Sequence, residues 1–389
     1  MQQMHCERRR SRQMSRKIMV IKKAYGCKII DSNGNALIDT TMACGVQIIG
    51  HNNKLIRKIA KQVKKGTVYT VPNAYTQEVN NLLKQHINPH LDKDYIFCNT
   101  GTEANIRAIR LARAYTGKFK IAIFDGGWHG GIDGLINSDG VPPNTQDLVK
   151  TLSYNNESSL NEITTDLAAV IVEPVQGSNP RSDIKPFLNK LQARCREQGV
   201  LLILDEVMTG FRLSKLGGAG LFDVTPDIIT YGKILGGGFP IGAVGAKSDI
   251  MKTKNVFYGG TFSGNPLTMY AAKLILNTII NKKFIKYDYL NAIGDVFRNK
   301  LNTIFKNEKI PMQIMGCGPL NKIVFTEKFV KNKQEKDMLE KGDQENFYNN
   351  LHKKGVFVNT NRIIQLSMAH KNKDINKIID AIHASTKHI

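Results

Sequence analysis

The sequence predicts an α/β protein with a large domain built on a mainly parallel sheet and a smaller α+β domain. Three observations lead to this prediction. Short apolar runs of strand length alternate with helix-like segments through the middle of the chain. After about residue 267 the pattern changes to longer amphipathic segments. The chain has 389 residues, 41% of them hydrophobic, which suits one large core and a second, smaller one.

Three apolar runs in the middle of the chain predict buried strands: Lys120–Phe124, Ala168–Val172 and Val200–Leu204. Between the last two lies Ile184–Gln198, whose apolar residues recur at helical spacing until Gly199 ends the segment. Strand–helix–strand order predicts a parallel sheet covered on both faces. Ligands bind such sheets beyond the carboxyl ends of the strands, so we expect the functional groups directly after each strand.

The last third of the chain predicts a smaller unit. Its elements are helices over Thr268–Ile280 and Asp288–Phe305, strands around Lys322–Phe325 and Gly355–Asn359, and a C-terminal helix from Asp374.

Near the start of the chain, Lys28–Ile38 predicts a hairpin with Asn33-Gly34 as its turn. We therefore divide the chain into an N-terminal arm and segment packing near the small domain (1–45), a large domain (46–267) and a small domain (268–389).

Composition excludes several classes of protein. No apolar run is long enough for a membrane span, and the arginine-rich N-terminus lacks the apolar stretch of a secretory signal. Six scattered cysteines form no Cys-x-x-Cys pair, so we predict no metal site and free thiols in the cytoplasm. The net charge of +22 raises the question of nucleic acid, but the lysines are dispersed and not interleaved with aromatic residues. We predict neither a nucleic-acid nor a membrane partner.

A short apolar strand runs into Thr100-Gly101-Thr102, where a helix begins that Gly117 ends. Free N–H groups and the positive end of the helix dipole make such a start an anion site. Gly101 lets a phosphate approach the backbone, and Thr100 and Thr102 can add hydroxyl donors. Taken alone, the pattern fits an ordinary helix N-cap at least as well.

Asp205 follows five apolar residues and therefore lies at the carboxyl end of a strand. A carboxylate there is costly to bury without a cationic partner, such as a protonated ring nitrogen. Val207, two residues on, would face the same side and pack against such a ring. The alternative is an aspartate that caps a helix.

Lys233 follows the apolar Ile228-Ile229 and precedes three consecutive glycines, Gly236 to Gly238. The glycines leave space and backbone freedom next to a bulky group. A lysine in a semi-apolar pocket has a lowered pKa and can attack an aldehyde. Taken alone, a lysine in this sequence context is more often a surface residue before a flexible loop. The assignment of Lys233 therefore depends on the other motifs as well.

Taken together, these motifs resemble the class III aminotransferases of pyridoxal 5′-phosphate (PLP) fold type I, and most closely glutamate-1-semialdehyde 2,1-aminomutase and its aminotransferase relatives. The resemblance covers nearly the whole chain from about Val20, and the interval between Asp205 and Lys233 matches the family. It rests on six motifs in family order: Asn99–Ala104, Trp128–Gly130, Glu173–Val175, Asp205–Arg212, Gly232–Gly238 and Gly260–Pro266.

The resemblance implies a large domain with a seven-stranded sheet and PLP as the cofactor. Lys233 would hold PLP as a Schiff base and shuttle a proton. Asp205 would pair with the pyridine nitrogen, and Val207 would pack behind the ring. Gly101 and Thr102 would hold the phosphate.

The resemblance also implies roles around the ring and at a subunit interface. Trp128 would stack on the other ring face, where the family more often has Tyr or Phe. Glu173 and His129 would orient groups near the site. Thr261 would reach the cofactor phosphate of a neighbouring subunit, which implies a homodimer with both active sites at the interface.

Two departures from the aminomutase pattern concern the substrate. The aminomutase carries a long gating loop where this chain has only the short Asp133–Pro143, and a short lid suits an enzyme that releases its first product. Arg362 stands where the aminomutase has an acidic residue, and this reversed charge should change the substrate. Arg9 or Arg12 could match a substrate-binding arginine of the family.

Three functions remain open at this stage. The first is a ping-pong aminotransferase that moves an amino group from a donor such as glutamate to a carbonyl substrate, for example a keto-sugar. The second is the aminomutase itself, which forms 5-aminolevulinate. The third, a non-catalytic PLP-binding protein, fits poorly because Lys233, Asp205 and Thr261 are all present.

Overall fold

The structure is a computed structural model, and it describes residues 19–281, 285–340, 344–359 and 362–388. Arg9 and Arg12, predicted as substrate residues, lie outside these ranges. The strands are β1 Ile21–Tyr25, β2 Lys28–Asp31, β3 Ala36–Asp39, β4 Ile96–Cys98, β5 Lys120–Phe124, β6 Val149–Leu152, β7 Leu167–Val172, β8 Leu201–Asp205, β9 Ile228–Tyr231, β10 Gly242–Ala246, β11 Gln313–Cys317, β12 Leu320–Val324, β13 Val356–Phe357 and β14 Ile363–Gln365.

The helices alternate with these strands and agree with the predicted ones to within about two residues. They are α1 Leu55–Val63, α2 Ala74–His86, α3 Gly101–Thr116, α4 Lys185–Glu197, α5 Gly217–Phe222, α6 Ser248–Met251, α7 Pro266–Ile280, α8 Tyr287–Asn307, α9 Lys333–Leu339, α10 Gln344–Lys353 and α11 Asn372–Ser385.

The central sheet has seven strands in the order β4-β10-β9-β8-β7-β5-β6. The strands from β9 to β6 run parallel to one another, and β10 is antiparallel to both of its neighbours. The seven-stranded, mainly parallel sheet is therefore confirmed. Because β10 reverses direction, β4 points the same way as β5, β7, β8 and β9, and their carboxyl ends share one edge.

Alternate residues of the central strands face two different helix layers. Val170 and Val172 of β7 belong to the core that contains Phe187 and Leu191 of α4. Ala169 and Ile171 lie in the second core, which α3 covers. All six residues of β7 are buried, as expected for a strand with helices on both faces.

The N-terminal strands form a separate sheet, β1-β2-β3-β13, in which β13 pairs in parallel with β3. The predicted hairpin is present. In its turn the Asp31 carboxylate accepts N–H groups from Asn33 and Asn35, and Gly34 has a φ of 89°. A third sheet, β11-β12-β14, lies in the C-terminal part. The division into domains at residues 45 and 267 stays a prediction.

Within the described ranges, none of the helices has both the length and the apolar character needed to cross a membrane.

Candidate active site

Five loops meet at the shared carboxyl edge of the central sheet. Thr100 follows β4, His129 follows β5, Glu173 follows β7, Asp205 ends β8 and Lys233 follows β9. The predicted site residues therefore lie together just beyond the strands, because parallel strands bring their carboxyl ends to the same edge of the sheet.

The N-terminus of α3 is closed by two side-chain hydrogen bonds. The Thr100 hydroxyl accepts the Glu103 N–H at 3.0 Å, and the Glu103 carboxylate accepts the Asn99 N–H at 2.6 Å. Thr100 is thus the N-cap, which was the alternative to its role as a phosphate donor. The N–H groups of Gly101 and Thr102, in the first turn, are those that a helix cannot satisfy internally.

Close backbone packing joins the Gly101 turn to the segments after β8 and β9. A Cβ built on Gly101 would lie 2.7 Å from a methyl group of Val207, and one on Gly232 would lie 3.3 Å from the same methyl group. A Cβ on Gly130 would lie 2.2 Å from the Thr102 hydroxyl. The predicted phosphate cradle, Val207 and the residue before Lys233 are therefore neighbours.

Asp205 is the centre of a buried hydrogen-bond network. Its Oδ2 accepts Asn105 Nδ2 at 2.7 Å and lies 2.8 Å from His129 Nδ1. Its Oδ1 accepts the Val207 N–H at 3.0 Å. The Thr230 hydroxyl donates to Asn105 Oδ1 at 2.7 Å and so fixes the orientation of that amide. A carboxylate offers about four acceptor positions, and the Thr230 hydroxyl, 3.4 Å from Oδ1, lies beside the remaining one.

The pKa of His129 is shifted by its contact with Asp205. Burial lowers the pKa of its imidazole, but the hydrogen bond and the negative charge of Asp205 outweigh burial, so the pKa is raised overall. The Nε2 atom of His129 is buried and has no partner among the described residues. Because His129 and Asn105 bind the same oxygen, the Asp205 carboxylate is fixed in position.

Glu173 and Trp128 form the wall beside this network. Glu173 is buried, and its Oε2 accepts the Trp128 N–H at 2.9 Å. Burial and the nearby negative charge of Asp205 raise the pKa of Glu173 to about 7, although the charges of His129 and Lys233 oppose the shift. The indole of Trp128 is 56% exposed, which leaves one face available for contact.

Lys233 begins a short 3-10 helix over Lys233–Gly236, and its side chain is partly buried. Burial lowers the pKa of its amine, and the charge of Arg212 adds to this, while Asp205 and Glu173 act in the opposite sense. Its φ of 43° lies in the left-handed region, which costs an L-residue roughly 1–2 kcal/mol. Such strain at a single lysine is common at functional sites.

The glycines after Lys233 were predicted to leave space next to a bulky group, and in the structure two of them pack closely against protein side chains. Gly237 has a φ of 56°, and a Cβ there would lie 2.6 Å from Ile275 of α7. Gly238 has a φ of 113°, and its Cβ would lie 2.7 Å from the Gln47 amide. Both a left-handed backbone and the absence of a side chain are therefore required here.

Thr261 and Arg362 lie apart from this cluster. Thr261 is exposed in the loop before α7. Arg362 donates to the Gln344 side chain and stacks over the Tyr348 ring, with 4.9 Å from its guanidinium carbon to the ring centroid. Its contacts therefore lie with α10. The roles assigned to these two residues stay predictions.

Asn105 and Thr230 are site residues that the sequence analysis missed. Both are buried polar residues: Asn105 on the sheet-facing side of α3 and Thr230 in β9, paired in register with Asp205. Thr230 interrupts an apolar strand, and that interruption is the signal that could have identified it. Asn105 lies among the polar and charged residues of α3 and has no such signal.

The groups at this edge match three features of one cofactor. A lysine amine with a lowered pKa suits an aldehyde, a buried carboxylate suits a protonated ring nitrogen, and the start of α3 suits a phosphate. The residues present therefore fit PLP. The fold and the site together define a PLP-dependent enzyme that acts on amino groups.

Comparison with known proteins gives the same class. A sequence profile described as "Aminotransferase class-III" matches residues 9–385. Glutamate-1-semialdehyde 2,1-aminomutase of Desulforapulum autotrophicum is 34% identical, with 93% of this chain and 90% of the relative covered. Glutamate-1-semialdehyde 2,1-aminomutase 1 of Staphylococcus epidermidis is 35% identical, with 92% and 88% covered. The chain belongs to the class III aminotransferase family.

Solved structures with the same fold include both transaminases and an aminomutase. An omega-transaminase from Sphaerobacter thermophilus superimposes with a TM-score of 0.87 at 26% identity, covering 96% of this chain and 92% of that chain. A β-phenylalanine aminotransferase from Variovorax paradoxus gives 0.84 at 26% identity, with 98% and 93% covered. A glutamate-1-semialdehyde-aminomutase from Pseudomonas aeruginosa gives 0.84 at 20% identity, with 95% and 88% covered, and shows the fold alone.

Proposed function

We propose that the protein is an aminotransferase that moves an amino group from a donor such as glutamate to a carbonyl substrate, for example a keto-sugar. The observation that carries the proposal is the short connection between β5 and β6. Residues 133–142 contain turns and one isolated bridge between Asp133 and Ile136, and a 3-10 helix over Pro143–Leu148 returns the chain to β6. A site without a long lid favours release of the first product, which a two-step transfer requires.

When PLP is bound, it supplies an aldehyde for the amino group and a ring that accepts electrons. Lys233 is the group we assign to bind the aldehyde and to move the proton. Asp205, fixed by Asn105 and His129, would pair with the ring nitrogen and favour its protonated form. Gly101 and Thr102 would hold the phosphate, and Trp128 would cover one face of the ring.

A second candidate is glutamate-1-semialdehyde 2,1-aminomutase activity, which would form 5-aminolevulinate. Relatives of that name that are 34–35% identical over more than nine-tenths of the chain favour it. The aminotransferase ranks first because of the short lid and because Arg362 replaces an acidic residue of the aminomutases.

We also propose that the enzyme is a homodimer with its active sites at the interface. The support is a group of exposed large apolar side chains in two adjoining segments, which Asn73 joins by donating to the Gly264 carbonyl at 2.7 Å. Thr261 lies in the second segment, where it can reach a neighbouring subunit. The exposed apolar residues are Val68, Tyr69, Val71, Phe257 and Phe262.

We assign the enzyme to the cytoplasm. The support is chemical: the cysteines of the described ranges form no disulfide, as is usual in a reducing compartment. They are Cys27, Cys44, Cys98, Cys195 and Cys317.

Two incubations distinguish the two candidate reactions: one with glutamate alone and one with glutamate 1-semialdehyde alone. In the first, the PLP-loaded protein is mixed with glutamate, and both 2-oxoglutarate and the cofactor spectrum are followed. An aminotransferase releases 2-oxoglutarate and converts the cofactor to its amine form in a single turnover. The proposal fails if glutamate 1-semialdehyde is instead converted to 5-aminolevulinate without any donor. Lys233→Ala serves as the inactive control for both reactions.

A further inference from the structure

Residues 125–128 form the turn after β5 that ends at Trp128. The loop after β7, residues 173–184, binds this turn through three side chains. The bonds are Gln176 Nε2 donating to the Asp125 carbonyl at 3.0 Å, Ser178 Oγ donating to the Gly126 carbonyl at 2.7 Å, and the Trp128 N–H donating to Glu173 Oε2 at 2.9 Å. Three of the four residues of the turn are therefore held by side chains from one neighbouring loop.

Two consecutive glycines make the turn depend on these bonds. Gly126 has a φ of 81°, and glycine loses more conformational freedom on folding than any other residue. A Cβ built on Gly126 would lie 2.8 Å from Ser178 Oγ and 3.0 Å from Gln176 Oε1. A Cβ built on Gly127 would lie 3.0 Å from His129 Nε2. Glycine is thus required for the close fit, and its backbone freedom has to be restricted by the hydrogen bonds.

The bonds are buried, whereas the indole that follows them is not. Gln176 is 1% exposed and Glu173 is 5% exposed, but Trp128 is 56% exposed. A hydrogen bond in the protein interior is stronger than one in water, and a buried carbonyl that loses its donor is costly. An exposed indole has little packing of its own, so the position of its ring depends on the backbone of the turn.

The loop after β7 is itself anchored to the C-terminal part of the chain. Asn179 is fully buried, and its Nδ2 donates to the Lys331 carbonyl at 3.1 Å. Arg181 Nη1 donates to the adjacent Val330 carbonyl. The loop therefore provides a fixed base against which the 125–128 turn is held.

We propose that Gln176 and Ser178 are positioning residues for Trp128. Together with Glu173, they hold the backbone of the 125–128 turn so that the indole stays over one face of the cofactor ring. The inference rests on the proposed function, in which Trp128 covers that face. Without the two donors, the glycine pair is free to change conformation, and the indole leaves the ring for part of the time. The ring is then less well oriented for reaction.

The fluorescence of the protein tests this directly, because Trp128 is the only tryptophan of the chain. Gln176→Leu removes one donor and keeps the approximate volume of the side chain. In the PLP-free variant we expect the amplitude of the nanosecond anisotropy decay to rise about 2-fold, because the turn gains motion. In the PLP-loaded wild type the adjacent ring should quench the emission almost completely, and the loaded variant should be about 2-fold brighter.

Gln192→Leu is the matched control. The Gln192 side chain also binds a backbone group, the Thr225 N–H at 2.6 Å, but it lies on α4, outside the loop that holds the turn. This variant should keep both the wild-type anisotropy decay and the wild-type quenching. Urea unfolding is measured in parallel, because a merely structural role would lower the stability of Gln176→Leu and leave its anisotropy decay unchanged.

A folded Gln176→Leu protein with the wild-type anisotropy decay would overturn the proposal. If that variant does not fold, an unchanged decay in Ser178→Ala, at a half-buried position, would overturn it. Failure of the proposed role of Trp128 gives a different result. The emission of the wild type would then be unquenched when PLP is bound, whereas the decay of the PLP-free variants does not depend on the cofactor or on the reaction.

Discussion

Asp205 and Glu206 follow each other at the end of β8, and each is 1% exposed, yet they serve different regions of the molecule. Asp205 lies at the carboxyl edge and binds the side chains of Asn105 and His129. Glu206 instead accepts the N–H groups of Gly218 and Ala219 at the start of α5.

The difference lies in the partners rather than in burial. Glu206 uses its two oxygens to satisfy backbone donors at a helix start, with a further bond from Thr209. Burial raises the pKa of Glu206 to about 7. Asp205 instead has a histidine partner and a lysine within its electrostatic reach. A buried carboxylate therefore marks a functional site when its partners are titratable side chains that converge with it.

Asp205→Asn should give the largest change in activity. The charge that raises the pKa of His129 and that would hold the ring nitrogen is removed, while the size of the side chain is kept. We expect the rate at which an amino donor converts bound PLP to fall by about 10²- to 10³-fold, measured by stopped-flow absorbance. The contrast between the two carboxylates breaks down if Asp205→Asn keeps its rate while Glu206→Gln loses it.

Glu206→Gln should instead change stability. The amide nitrogen would face a backbone N–H, leaving a buried donor unsatisfied, so the free energy of unfolding should fall by roughly 1–3 kcal/mol. Urea unfolding measures the change, and the activity per folded molecule should be kept. Glu197→Gln, at an exposed position of α4, is the control and should be near neutral. An unchanged unfolding free energy in Glu206→Gln would contradict the structural role.

The pH dependence of the free energy of unfolding tests the raised pKa of Glu173, the buried carboxyl group next to Asp205. Glu173 has a pKa raised from 4.5 to about 7 by burial, so the folded protein holds a proton that the unfolded chain releases. Its contribution to stability is therefore complete below pH 4.5 and is lost as the pH rises towards 7, by about 3 kcal/mol at most. Glu173→Gln should remove the part of this slope that Glu173 contributes in urea unfolding and leave the part that comes from Glu206, whose pKa burial also raises to about 7. An identical slope in the variant would argue against the raised pKa.

Thr261→Val should give the smallest effect. If the hydroxyl donates to the phosphate of a neighbouring subunit's cofactor, its loss should raise the dissociation constant of PLP about 2- to 10-fold. Thr165→Val is the matched control, because Thr165 is also exposed but lies in the turn before β7, at the opposite edge of the central sheet. Equal affinities in wild type and Thr261→Val would remove the support that Thr261 gives to the dimer.

Much of the fold and of the site follows from the sequence for local reasons. β5, β7, β8 and α4 were predicted because buried strands are uniformly apolar and helices have a 3.6-residue period. Asp205 and Lys233 were predicted because each follows such a strand. Asn105 and Thr230 were missed because their role depends on which strands and helices become neighbours, which no local pattern encodes.

The turn at 42–45, whose Gly45 carbonyl accepts a hydrogen bond from Arg212, could not be predicted for a similar reason. Its four residues have positive φ values and three of them are not glycine, so their left-handed conformation is imposed by contacts with distant parts of the chain. The partners of Arg362 show the same limit: its position in a motif predicts a substrate residue, whereas its contacts depend on the packing of α10.

The central claim is that Lys233 carries the cofactor, and borohydride reduction tests it most directly. We predict that reduction of the PLP-loaded wild type fixes the cofactor to the peptide that contains Lys233, and that Lys233→Ala shows no fixed cofactor. Lys322→Met is the control, because burial also lowers the pKa of Lys322, to about 8, but this lysine lies in β12, away from the sheet edge. A reducible linkage that persists in Lys233→Ala, or disappears in Lys322→Met, would contradict the assignment.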